Sequence, residues 1–132
     1  MSRLPTAIAV LIGLGVLSCA SVRSVRLEPE FSCAAGEIPG LTVYVADHTG
    51  AYLPGVALTL LDSGGHATER LETDRHGYAT FSRLPSAGVC GLRGELTGFE
   101  VTQARPFPCQ PQCHTTVSLR MRVDTRSAVT FT

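Results

Sequence analysis

Apolar and polar side chains alternate along the middle of this chain. Leu41, Val43 and Val45 are separated by Thr42, Tyr44 and Ala46, and Thr115, Val117, Leu119 and Met121 by Thr116, Ser118 and Arg120. A period of two sends successive side chains to opposite faces, so both runs read as half-buried β-strands. Five more runs lie between them, at 56–61, 67–73, 78–82, 89–96 and 99–107. Ala79 and Phe81 share one face of the third; Cys90, Leu92, Gly94 and Leu96 share one face of the fourth. Asp47-His48-Thr49-Gly50, Asp62-Ser63-Gly64-Gly65, Asp74-Arg75-His76-Gly77 and Thr97-Gly98 are turn clusters between the runs. Pro54 and Pro85 fall just before strands, where no ladder donor is lost. Seven short strands with regular turn signals predict an all-β sandwich.

The first residues follow another pattern. Arg3 precedes an apolar run from Ala7 to Leu17, which Gly13 and Gly15 interrupt. The run is shorter than the roughly 20 residues that span a bilayer, and it reads as the core of a secretory signal. Val16-Leu17-Ser18-Cys19 resembles the bacterial lipobox, with Val16 and Leu17 departing from its preferred residues. The resemblance implies that Cys19 is lipidated and becomes the mature N-terminus. Cleavage after Ala20, with Ser18 and Ala20 as the small pair, is the alternative exit. Ala20 stands where aspartate retains lipoproteins at the inner membrane, so the expected address is the outer membrane, facing the periplasm or the cell surface.

Without the signal, about 114 residues remain, enough for one domain with a small core. Eleven basic and eleven acidic side chains leave no basic surplus for phosphates, so no nucleic-acid partner is expected. The chain has five cysteines, and setting Cys19 aside leaves Cys33, Cys90, Cys109 and Cys113. An even count in an exported small domain reads as two disulfides, with three pairings open. If Thr97-Gly98 reverses the chain, Cys90 at one strand's start approaches Cys109 at its neighbour's end. Cys33 is then left with Cys113.

Longer segments carry a family likeness. Residues 43–56 run through a strand, an Asp-x-x-Gly turn and Leu53-Pro54-Gly55-Val56; residues 73–81 read Thr-Asp-x-x-Gly-x-x-x-Phe. Leu84-Pro85-Ser86-Ala87-Gly88 and Gly98-Phe99-Glu100 supply two later landmarks. Together, over residues 40–122, these resemble the carboxypeptidase regulatory-like domains, related to transthyretin-like and collagen-adhesin B-type sandwiches. The resemblance implies a seven-stranded immunoglobulin/transthyretin-like sandwich and a non-catalytic role in protein binding, adhesion or envelope assembly. It names no partner.

Candidate chemistry is sparse. His48, His66, His76 and His114 show no pair spaced to share a metal on one face, and no Gly-x-Ser-x-Gly elbow exposes a serine. Asp47 and Asp74 read as caps of their own turns. Tyr44, Tyr52 and Tyr78 invite comparison with the iron site of intradiol dioxygenases, but the paired histidines of that family have no counterpart. The sharpest alternative is Cys109-Gln110-Pro111-Gln112-Cys113-His114, whose soft ligands suit copper in a periplasmic metal or redox protein.

The expected organisation is a lipoprotein signal at 1–18, a tether at 19–39, the sandwich at 40–123 and a tail at 124–132. No enzyme activity and no cofactor are expected. The expected partners are the membrane, through lipid on Cys19, and a protein whose docking surface would be an exposed strand edge.

Overall fold

A computed structural model describes residues 22–125. Cys19 with the apolar run before it, and Val129 and Phe131 of the tail, lie outside the described residues. The described residues form nine strands: β1 (Val22–Val25), β2 (Glu30–Ser32), β3 (Gly40–Asp47), β4 (Ala57–Leu61), β5 (Ala67–Glu72), β6 (Tyr78–Phe81), β7 (Val89–Glu95), β8 (Val101–Pro108) and β9 (His114–Met121). They make two sheets, one ordered β1-β8-β7-β4-β5 and the other β2-β9-β3-β6. The architecture is an all-β sandwich.

The facing layers contain the residues that the alternation selects. Leu41, Val43 and Val45 of β3 are buried, as are Thr115, Val117, Leu119 and Met121 of β9. These strands run parallel, in register from Gly40 with His114 to Asp47 with Met121. The other sheet contributes Leu58, Leu60 and Leu92, all fully buried. Each such side chain contributes roughly 1.5–3 kcal/mol by leaving water. Gly94 makes room for the opposite layer. A Cβ there would lie 2.9 Å from Cδ2 of Leu119 and 3.4 Å from Sδ of Met121.

The strand count exceeds seven because residues expected in a tether carry β1 and β2. β1 lies parallel to β8, from Val22 beside Val101 to Val25 beside Ala104, and β2 lies antiparallel to the start of β9. Three or four residues are too few for a period of two to stand out. A parallel partner also needs no hairpin turn to announce it. Val25 and Leu27 of this segment pack on the core, so it is part of the sandwich.

Two disulfides each tie neighbouring strands within one sheet. Cys90 at the start of β7 joins Cys109 after β8, and Cys33 after β2 joins Cys113 before β9. The first is buried in the core, whereas Cys33 is exposed.

Candidate functional site

The outer face of the four-stranded sheet collects the polar and aromatic positions of its strands. Tyr44 on β3 stands beside Tyr78 on β6, and on its other side beside Ser118 of β9. One step along, Ala46 stands between Arg120 of β9 and Tyr52, which joins β3 through an isolated bridge. All three tyrosines of the chain therefore meet on one face. The rings of Tyr44 and Tyr78 have centroids 5.2 Å apart at an interplanar angle of 53°, and His76 stacks near Tyr78 at 6.1 Å.

Tyr52 holds its place because of Gly77. This residue has φ of 83°, and a Cβ on it would lie 2.8 Å from Cβ of Tyr52. The backbones also meet here, since Val45 accepts at its carbonyl from Leu53 N–H and donates its N–H to Gly77 O. The Asp-x-x-Gly turns thus bring a loop residue, Tyr52, into line with the strand residues.

Tyr52 is 61% exposed, while Tyr44 and Tyr78 are each exposed by a little over a third. Tyr44, Ala46, Gly50, Tyr52, Ser118 and Arg120 line an open cleft of about 430 Å³. Ser118 and Arg120 also line a second cleft, of about 330 Å³, with Arg23, Ser24 and Arg26 from the N-terminal segment. The two clefts share Ser118 and Arg120, with Tyr44 and Tyr52 lining the first and Arg23 and Arg26 the second; together they are called the trough.

The turn aspartates are occupied with their own backbones. Asp47 Oδ1 accepts bonds from the Thr49 hydroxyl at 2.6 Å and from the amides of Thr49 and Ala51. The Thr49 hydroxyl is the leading cause that holds the Asp47 carboxyl below its ordinary range. Asp62 serves Gly64 and His66 in the same way, and Asp74 serves His76 and Tyr78. Each is a turn brace.

The cysteine–histidine segment is arranged otherwise than a metal site would need. Cys109 and Cys113 belong to different disulfides, so neither sulfur is a thiolate that could ligate copper. His114 Nδ1 donates to the Ile38 carbonyl at 2.9 Å, and its Nε2 is hydrogen-bonded to the Thr42 hydroxyl at 2.7 Å. Thr80 continues the chain, 3.1 Å from Thr42. His114 thus ties β9 to β3 and to the segment before it. The other histidines are dispersed: His66 lies 3.4 Å from Asp62, and no group of three or more His, Cys, Asp or Glu gathers among the described residues.

Strand alternation puts Tyr44, Tyr78, Ser118 and Arg120 on outward positions, but it does not say which strands are neighbours. Tyr52 and Arg23 lie outside the seven expected strands. Their part in the trough comes from tertiary contacts alone.

No protein-family model matches the chain, and no curated protein matches it.

Proposed function

We propose that this protein is an exported lipoprotein, held at the cell envelope by lipid on Cys19, whose sandwich is a carboxypeptidase regulatory-like domain that binds a partner and does no catalysis. The observation that carries the binding role is the convergence of Tyr44, Tyr52 and Tyr78 on one outer sheet face. Tyrosine offers a large apolar ring and a polar tip with few torsions to freeze, which is why it serves well at recognition surfaces. A rigid face suits this use, and here the scaffold is stapled twice. The disulfides also fit an oxidising compartment, in keeping with the apolar run and Cys19 at the start of the chain. The envelope site is the outer membrane, given Ala20 after the lipidated cysteine.

Two measurements test the reading. Mass spectrometry of the mature N-terminus should find acyl chains on Cys19 and no free thiol elsewhere; an unmodified N-terminus at Ser21 would remove the anchor. A photoreactive residue at position 52, compared with one at the exposed Arg70 on the opposite sheet, should cross-link to an envelope component in cells. Equal labelling from both positions would remove the binding face.

A further inference from the structure

We infer that the trough on the four-stranded sheet takes an acidic polysaccharide, with sugar rings on Tyr44 and Tyr52 and sugar carboxylates on Arg120, Arg26 and Arg23. This deepens the binding reading above and rests on it.

The argument begins with charge. The chain is neutral overall, yet one cleft gathers three arginines and has no acidic side chain in its wall. The ion pairs among the described residues join His66 to Asp62 and Arg93 to Glu95, so none neutralises Arg23, Arg26 or Arg120. Asp47, one residue beyond Arg120's register partner Ala46, turns its Oδ1 into its own loop; among the described residues Arg120 reaches the Asp47 carbonyl, at 3.5 Å. Glu28 shares a neighbouring cleft with Arg26, and Glu30 stands beside Thr116 of β9, but neither lines this cleft. Three arginines that line one cleft, none in an ion pair among the described residues, favour an anion that bridges them. Their planar forks match carboxylate geometry.

The second argument concerns shape and surface. A polyanion alone would need only the arginines. The same wall continues through Ser118 and Arg120 into the tyrosine cleft. There the tyrosine rings offer electron-rich faces, which suit the weakly positive C–H bonds of a sugar ring. Ser118, with its hydroxyl on the same face, adds a donor and acceptor for sugar hydroxyls. Aromatic rings line one cleft and cations the next, with Arg120 in both, which suits a chain that carries both sugar rings and carboxylates. An open groove also admits a polymer from the side, where a closed pocket would admit only an end.

Native affinity electrophoresis of the purified mature protein in mild detergent tests this, with polygalacturonate in the gel as probe. The expected result is strong retardation by polygalacturonate, less by polyphosphate, which the arginines alone would hold, and none by dextran. Tyr52→Ala keeps the Cβ that packs on Gly77, and Arg120→Ala alters an exposed side chain, so both variants should keep the wild-type melting temperature. Each should weaken binding at least tenfold, while Tyr52→Phe stays near wild type. Absence of retardation by polygalacturonate, equal retardation by polyphosphate, or an unaffected Tyr52→Ala would overturn the proposal. If that happens while position 52 still cross-links to a protein in cells, the ligand class is wrong and the binding face stands. If the polysaccharide test fails and position 52 gives no cross-link, both readings fall.

Discussion

Thr73 and Val56 are joined by a reciprocal pair of hydrogen bonds. Val56 N–H donates to the Thr73 hydroxyl at 2.9 Å, and Thr73 N–H donates to the Val56 carbonyl at 3.0 Å. The same hydroxyl donates to the Leu53 carbonyl at 2.7 Å. Leu53-Pro54-Gly55-Val56 and the Thr-Asp turn are separate landmarks along the chain, and in the fold they are bonded to each other. Their spacing is therefore a tertiary requirement.

Thr73→Val should destabilise the domain by about 2–3 kcal/mol, because the Val56 amide and the Leu53 carbonyl lose their partner in a buried place. Thr73→Ser, which keeps the hydroxyl, should cost clearly less. Urea unfolding midpoints check this, and equal losses for the two variants would contradict the hydrogen-bond account.

Thr115→Val should move stability the other way. Thr115 is fully buried on β9, and its hydroxyl has no hydrogen-bond partner among the described residues. An isosteric methyl should stabilise by about 1 kcal/mol, since an unpaired polar atom then leaves the core. A lower urea midpoint for this variant would show that the hydroxyl is satisfied in solution.

Gly77→Ala should cost about 3 kcal/mol, combining a positive φ with close approach to Tyr52 Cβ and to the Val45 carbonyl at 2.9 Å. Gly50→Ala provides the comparison: φ is 93° there, but a Cβ would meet nothing within 4 Å. That variant should cost only about 1 kcal/mol. Matching losses would mean that backbone conformation alone, and not the Tyr52 contact, restricts Gly77.

The two disulfides should differ in accessibility and in contribution. Cys33–Cys113 spans 80 residues and Cys90–Cys109 spans 19. On the chain-entropy relation the long bridge contributes about 4.5 kcal/mol and the short one about 3 kcal/mol. Because Cys33 is exposed while Cys90 and Cys109 are buried, mild reductant should open Cys33–Cys113 first. Peptide mapping after partial alkylation reads the order, and the reverse order would contradict the burial argument.

Acid should weaken the turns. The carboxyls of Asp47, Asp62 and Asp74 are all held below their ordinary range. The leading cause is the Thr49 hydroxyl at Asp47 and the His66 amide at Asp62. At Asp74, desolvation pushes the value up, and the amides of His76 and Tyr78 are the first of several effects that outweigh it. A carboxyl lowered in the folded state contributes stability that is complete above its unfolded value. That stability is lost as pH falls through the lower folded value. The urea midpoint should thus hold down to about pH 5 and fall below about pH 4. The triple variant Asp47→Asn, Asp62→Asn, Asp74→Asn should fall less steeply over that window; an unchanged slope would place the acid sensitivity elsewhere.

The sandwich class and most of its core were legible in the order of the residues alone. Alternation in strands such as β3 and β9 is a local property, since burial on one face dictates every second residue whatever the neighbours are. The turn residues were equally legible, because Asp and Gly act on the backbone within a few positions. Cysteine parity pointed to two bridges, and one tight reversal narrowed the pairs. Tertiary structure decided the rest. Only folding laid Val22–Val25 along β8, since a four-residue strand carries too little pattern to predict and gains its stability from neighbours far along the chain. Only folding brought Tyr52, Arg23 and Arg120 to one trough, because outward residues obey no burial rule and their company depends on strand order.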